Sequence, residues 1–147
     1  MNQRAVLASL VTGIAFASAA DLAGQRSHVG ARSAGGEGAP FSQAVWVGDV
    51  LYLSGMLGLA QGAVPETAAE EARNVLDSIK RLLEGEGLTM DDLVSVQIFC
   101  SDVAHYAAFN EVYRTYFTKE FPARAFIGAG TLLFNARFEV QGIASRR

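Results

Sequence analysis

The chain has 147 residues, of which 50% are hydrophobic and 18% charged, a composition that suits one folded domain with a hydrophobic core. Its 15 acidic and 12 basic residues give a formal net charge of -3, and the basic residues are scattered. Without a basic stripe, no nucleic-acid partner is expected. The single cysteine, Cys100, excludes an internal disulfide, and with only two histidines in the chain we expect no Cys/His zinc site.

Residues 1–20 have the features of a cleavable secretory signal. Arg4 gives a short positive start, residues 5–16 form an apolar run, and small residues at 17–20 precede the polar Asp21. The alternative is a buried N-terminal helix, but the stretch has no polar face and is too short to span a bilayer comfortably. We therefore expect a periplasmic or secreted protein with no stable membrane association after cleavage.

Residues 21–39 are rich in glycine, serine and alanine with isolated charges, which predicts a flexible arm. The Gly-Gly-Glu-Gly run at 35–38 lacks the preceding strand, the following Lys-Ser/Thr and the spacing of a phosphate-binding loop. The folded domain is therefore assigned to residues 40–147.

The domain is predicted to begin with a hairpin. Residues 44–47 and 50–54 are β-rich runs, and the intervening Gly48-Asp49 suits a tight turn. Residues 57–64 add a short strand or a loop around two glycines.

A capping box of Thr67 and Glu70 begins the first predicted helix, and Gly85 and Gly87 end it. Between them, apolar residues recur at helical spacing, namely Ala72, Val75, Leu76, Ile79, Leu82 and Leu83. A turn at 89–92 leads to a strand at 94–99, and Cys100 after it is expected to be a small core residue.

A second predicted helix opens at Asp102 and ends before Pro122, because proline breaks the helical hydrogen-bond pattern. Its apolar face consists of Phe109, Val112, Tyr113, Tyr116 and Phe117. Strands at 123–129 and 137–144 follow, so the order is ββ(β)αβαββ. This order predicts an α+β fold in which both helices lie on one face of a mixed sheet.

The predicted strands are apolar at consecutive positions, as in Val45-Trp46-Val47 and Ala125-Phe126-Ile127. This pattern is typical of a sheet whose two faces are both buried. Since two helices cover only one face, we expect a second subunit to cover the other.

Four segments resemble the signature of the Rid (YjgF/UK114) family. In chain order they are Pro40-Phe41-Ser42-Gln43-Ala44-Val45, then Leu51-Tyr52-Leu53-Ser54-Gly55, then Phe109-Asn110-Glu111-Val112-Tyr113, and finally Phe121-Pro122-Ala123-Arg124-Ala125-Phe126 with Glu139 in the following strand. The resemblance covers residues 40–147, and the order of the four segments makes it specific.

The resemblance implies a homotrimer of the chorismate-mutase-like α+β fold, with ligand sites in clefts between subunits. It also implies hydrolysis of reactive 2-enamine and 2-imine acids to 2-keto acids and ammonia. Arg124 occupies the position whose guanidinium grips the substrate carboxylate, and Glu139 the position held to place the attacking water. The remaining positions that line the family's pocket are occupied by Phe41, Gly55, Asn110 and Phe126.

These residue types suit that chemistry. A planar guanidinium makes two parallel hydrogen bonds to a carboxylate, which fixes a small acid in place. An imine is already electrophilic, so one carboxylate that accepts and then donates a proton is sufficient, and no cofactor is expected. The alternative is that Arg124 is a solvated rim residue or pairs with Glu139 on the surface. The sequence leaves open which way Glu139 points.

The chain departs from the family pattern in the pocket walls. Phe41, Met56 and Phe126 stand where the enamine-hydrolysing branch commonly has tyrosine, glutamine and cysteine. A bulkier substrate, or binding of a small carboxylic acid without turnover, is therefore an alternative function. Ribonuclease activity, attributed to some relatives, is less expected for an acidic chain without a basic groove.

Overall fold

The computed structural model describes residues 25–30 and 38–146, so the predicted signal and part of the predicted arm lie outside the described residues. Within these described residues, seven strands and two α-helices follow in chain order. They are β1 (Arg26–Val29), β2 (Ala44–Val47), β3 (Val50–Leu53), β4 (Met56–Leu57), α1 (Ala68–Gly85), β5 (Leu93–Cys100), α2 (Tyr106–Tyr113), β6 (Ala123–Gly128) and β7 (Phe138–Ser145). Neither helix of this described part is long and apolar enough to cross a bilayer.

All seven strands form one mixed sheet in the order β1-β2-β3-β7-β5-β6, with the short β4 also paired to β7. The pairs are antiparallel except β5 with β6, which are parallel because the chain crosses over through α2 between them. The helices α1 and α2 pack against each other over one face of the sheet. The predicted α+β fold and the shared face of the helices are confirmed.

The strand β1 differs from the prediction of a flexible arm at 21–39. Its residues pair antiparallel with β2, with His28 opposite Val45. The amide of Gln43 donates to the Val29 carbonyl at 2.9 Å, and His28 Nδ1 is hydrogen-bonded to Ser42 Oγ at 2.9 Å. This strand is stabilised by pairing with β2, and strand formation depends on such context. The glycine- and serine-rich sequence around it therefore does not indicate a strand.

The helix α1 begins as predicted. The Thr67 hydroxyl accepts a hydrogen bond from the Glu70 amide at 3.1 Å, and the Glu70 carboxylate accepts one from the Thr67 amide at 3.2 Å. After the helix, Gly87 adopts φ +75°, a left-handed conformation that glycine adopts without steric cost. One face of the helix is buried against the sheet, and it includes the charged Glu71.

The helix α2 is shorter than the predicted apolar face. The Asp102 carboxylate accepts from the Ala104 amide at 2.9 Å and starts the turn that leads into it. The α-helix ends at Tyr113, and a single 3-10 turn, Arg114–Tyr116, continues it. Aromatic side chains then fold back onto the helix, with the Tyr113 ring 4.7 Å from Phe117 between centroids.

The core lies between the helices and the sheet. Its large, fully buried side chains include Leu76, Leu83, Ile98, Phe109, Phe138 and Val140. The opposite face, called here the open face, has no described helix over it. Tyr52 and Ile127 on this face are 47% and 37% exposed.

Candidate active site

Arg124 is placed by β6 on the helix-covered face. It lies opposite Val96 of β5, which is buried under the helices, and residues opposite each other in a sheet share a face. From there its Nη1 reaches α2 and donates to Asn110 Oδ1 at 2.7 Å. The structure therefore brings together two of the residues that the resemblance singled out.

Two tyrosine rings flank the Arg124 guanidinium. Its Cζ lies 4.8 Å from the Tyr113 ring centroid and 5.8 Å from that of Tyr106, distances at which a cation is attracted to an aromatic face. Burial raises the pKa of Tyr113 to about 12, so its hydroxyl stays protonated at neutral pH. That buried hydroxyl has no hydrogen-bond partner among the described residues.

Tyr113 is a site residue that the sequence analysis assigned only to the apolar face of a helix. A signal for its role was present, because it follows Asn110 by three residues, and residues three apart lie on the same side of a helix. The sequence alone does not place β6 next to this helix. It therefore did not show that the side of the helix with Asn110 and Tyr113 faces Arg124.

A cleft of about 190 Å³ opens beside Arg124, and its walls are Asn110, Tyr113, Arg114, Phe121, Pro122 and Arg124. Asn110 engages one of the five guanidinium N–H donors, which leaves donors for an anion. Phe126, two residues along β6, packs edge-on against Tyr106 at 5.0 Å and Phe109 at 5.7 Å. It therefore supports the ring of Tyr106 from the core side.

Glu139 lies on β7 and points to the open face. Its neighbours along the strand, Phe138 and Val140, are fully buried under the helices, and successive side chains of a strand alternate. The carboxylate is packed against Gly55, where a Cβ would lie only 2.1 Å from Glu139 Oε1. The direction that the sequence left open is thus determined by the sheet.

The segment that carries Phe41 is attached to the same region. The Ser54 hydroxyl donates to the Ser42 carbonyl at 2.7 Å, and the Ser54 amide donates to the Gln43 carbonyl at 3.0 Å. Phe41 itself is 55% exposed. The chain before β2 therefore runs beside the Ser-Gly turn that holds Glu139.

The predicted site residues consequently form two groups within one chain. The arginine half contains the predicted Arg124, Asn110 and Phe126, joined by Tyr106 and Tyr113, which were not predicted. The glutamate half contains the predicted Glu139, Gly55 and Phe41, joined by Ser54. Arg124 and Glu139 lie on opposite faces of the sheet, on β6 and β7, with β5 between these strands. No ion pair joins Arg124 to Glu139 among the described residues, so the alternative surface pair is not formed within this chain.

Other reactive groups in the described part of the chain do not form a site of their own. No group of three or more His, Cys, Asp or Glu residues there is arranged to hold a metal ion. Cys100 is fully buried, its Sγ donates to the Asp102 carbonyl at 2.9 Å, and burial raises the pKa of its thiol. The prediction of a small core residue is confirmed.

A family model described as Endoribonuclease L-PSP matches residues 33–146. The 2-iminobutanoate/2-iminopropanoate deaminase of Dermatophagoides farinae is 36% identical over 107 residues, which are 71% of this chain and 84% of that protein. The chain belongs to the Rid (YjgF) family. The Escherichia coli K12 protein of the same name is 33% identical over 113 residues, covering 74% of this chain and 88% of that Rid protein.

A solved structure agrees with this membership. The crystal structure of the Escherichia coli YjgF gene product superposes with a TM-score of 0.70 at 33% identity, over 74% of this chain and 89% of that one. The Rid fold expected from the four sequence segments is confirmed.

Proposed function

We propose that this Rid-family protein hydrolyses 2-imine acids and their 2-enamine tautomers to 2-keto acids and ammonia. Relatives at 36% and 33% identity bear the name 2-iminobutanoate/2-iminopropanoate deaminase. The observation that carries the proposal in this chain is the Arg124 guanidinium, which is held by Asn110 and two tyrosine rings beside a cleft. In the single chain this cleft has a volume of about 190 Å³, and a guanidinium at its wall suits a carboxylate ligand.

The reaction needs one addition and one elimination. Water adds to C2 of the imine to give a carbinolamine, whose C–N bond then breaks and releases ammonia. The Glu139 carboxylate accepts a proton from the water and returns it to the leaving nitrogen. Arg124 binds the substrate carboxylate with paired hydrogen bonds, which orients C2 toward the water.

We further propose that each working site forms between two copies of the chain, within the homotrimer that the resemblance implies. The support is that the arginine half and the glutamate half lie on opposite faces of one sheet. A second support for an interface is that Leu133 and Phe134, between β6 and β7, are apolar and 67% and 69% exposed. Sedimentation should give the mass of three chains, and a fully active monomer would contradict the proposal.

The function is tested by releasing imines in situ from amino acids with an amino-acid oxidase and measuring 2-keto acid formation. We expect acceleration by the wild-type protein. Arg124→Ala should lower kcat/KM by a factor of about 30 to several thousand, equivalent to about 2–5 kcal/mol for a desolvated charge pair. The matched control is Arg81→Ala. Arg81 is exposed on α1, where it donates a hydrogen bond to the Ser78 hydroxyl, and it is not part of the proposed site. Wild-type rates equal to the uncatalysed rate would reject the function.

Binding of a small carboxylic acid without turnover is the second candidate. It is favoured by Phe41, which supplies no hydroxyl to the glutamate half. Calorimetry with a series of 2-keto acids, run beside the oxidase assay, separates the two functions. Arg124-dependent binding without acceleration identifies a binding protein.

We also propose that the protein is exported, to the periplasm or beyond the cell. The support is the sequence of residues 1–20, together with a family match that begins only at residue 33. The mass of the mature protein tests this, because cleavage near residue 20 removes the apolar run. An N-terminus that begins at Met1 or Asn2 would contradict export by a cleaved signal.

A further inference from the structure

Glu71 is a buried charge for which the proposed reaction has no use. It is fully buried on α1 and is the one charged side chain in the core of the described residues. Its Oε1 accepts from the backbone amides of Arg137 at 2.6 Å and Phe138 at 3.1 Å, and its Oε2 accepts from Arg137 Nη1 at 2.9 Å. The Glu71 carboxylate is therefore hydrogen-bonded to both the backbone and a side chain at the start of β7.

Arg137 also hydrogen-bonds the segment that leads into α1. Its Nη1 also donates to the Pro65 carbonyl at 2.9 Å, and its Nη2 donates to the Glu66 carbonyl at 3.0 Å. Replacing a buried ion pair by packed apolar residues is often neutral or stabilising, so stability alone is a weak reason for a carboxylate at Glu71. What the hydrogen bonds specify is the position at which β7 begins.

The position at which β7 begins affects Glu139, because Glu139 directly follows Arg137 and Phe138, the two residues whose amides are bound by Glu71. Glu139 lies opposite Phe99 of β5 on one side and opposite Leu57 of β4 on the other, and β4 is also fixed by α1. A Cβ at Gly58 would lie 2.1 Å from the Glu71 carbonyl oxygen, and Asn74 Nδ2 donates to the Gly58 carbonyl at 3.2 Å. The strand that carries Glu139 and the strand β4 beside it are thus both attached to the first two turns of one helix.

We propose that Glu71 is a positioning residue for Glu139, acting through the start of β7. The inference rests on the proposed function, in which the Glu139 carboxylate places water. Arg124 lies opposite Val96, which is four residues along β5 from Cys100, the last residue of that strand and the partner of Phe138. Loss of the Glu71 charge should therefore lower turnover and leave the affinity for the substrate carboxylate unchanged.

The first test is Glu71→Gln, which places an amide NH2 where an oxygen now accepts a hydrogen bond. We expect kcat to fall by about 10- to 100-fold, as for a misplaced catalytic group, with KM within about twofold of wild type. The matched control is Leu83→Ala, a fully buried residue of the same helix that should lose stability through a cavity. Assayed well below its melting temperature, this control should retain the wild-type kcat.

A second variant keeps the test decisive if Glu71→Gln does not fold. Arg137→Met removes one hydrogen bond to Glu71 but leaves both backbone donors, so we expect a smaller loss of kcat at unchanged KM. In a Glu139→Gln background, neither substitution should lower kcat further, because the group that they position is already disabled. An undiminished further loss there, or a raised KM with wild-type kcat, would overturn the proposal.

Hydrogen exchange distinguishes failure of this proposal from failure of the proposed function. If the wild-type protein has no turnover, the function is rejected, yet the position of β7 is still measurable. Exchange at the Glu139 and Val140 amides should then be at least about tenfold faster in Glu71→Gln and unchanged in Leu83→Ala. Unchanged exchange in Glu71→Gln would overturn the positioning role.

Discussion

At the level of single residues, the place of the Glu139 carboxylate depends on a residue without a side chain. The backbone of Gly55 passes so close that a Cβ would lie 2.1 Å from Glu139 Oε1 and 2.9 Å from its Cδ. Glycine is required here by close approach, since only a residue without a Cβ leaves room for the carboxylate. Gly55 therefore determines the position of the Glu139 carboxylate through the space that it leaves empty.

We expect Gly55→Ala to lower kcat by about 10- to 100-fold, because the methyl group displaces the carboxylate from the water that it holds. The unfolding midpoint should change little, since the displaced atoms are the far end of a flexible side chain. Gly85→Ala is the matched control, because nothing lies within 4 Å of a Cβ at that position. Oxidase-coupled kinetics and thermal melts measure both effects, and a fully active Gly55→Ala protein would show that the packing is unimportant.

The sequence was informative about these residues to different degrees. The pairing of Arg124 with Asn110 is consistent with their joint place in the family signature, and their contact required only that the second helix cover β6. The direction of Glu139 was not predictable, because alternation along a strand identifies two faces without saying which is covered. Glu71 could have been noticed, since it lies four residues before Val75 on the apolar stripe of α1.

At the level of elements, the parts with strong local signals were predicted well. The hairpin of β2 and β3 has its Gly48-Asp49 turn, where Gly48 adopts φ +57°, and α1 has its capping box. The strand β1 was missed because its residues, Arg26–Val29, are mostly polar and exposed, so they lack the apolar pattern of a strand. The amino-acid composition around such a strand does not show which other strand it pairs with.

β1 occupies the outer edge of the sheet, where an unpaired strand invites association with other chains. A shortened chain that begins at Gly38 lacks β1 and leaves the edge of β2 unpaired, with the apolar Val45 and Val47 on it. We expect this protein to aggregate at a lower temperature than a chain that begins at Gln25, which retains β1. Light scattering during heating measures the difference, and equal onset temperatures would mean that β1 does not protect this edge.

At the level of the whole molecule, the sequence predicted the layers but not the division of the site. Apolar runs and connection rules were sufficient for a mixed sheet with both helices on one face. That Arg124 and Glu139 fall on different faces follows from the register of β5 with β6 and of β5 with β7. Register depends on pairing between distant segments, which one sequence read by itself does not specify.

The division between the two faces leads to a prediction about mixed assemblies. Arg124→Ala and Glu139→Gln should each retain only a small residual activity, since each lacks the main group of one half of the proposed site. Mixed at equal amounts during refolding, they should regain about one quarter of the wild-type number of intact sites if neighbouring copies supply the two halves at random. Sites built within one chain would regain no activity, and the oxidase-coupled assay separates the two outcomes.

The same geometry has a genetic meaning. If neighbouring copies supply the two halves, as proposed, a cell that expresses both variants contains chains that each supply the group that the other lacks. Two alleles of one gene that are each defective alone would then complement each other. Loss of function at this locus would then depend on which half of the site each allele damages, as well as on whether both alleles are damaged.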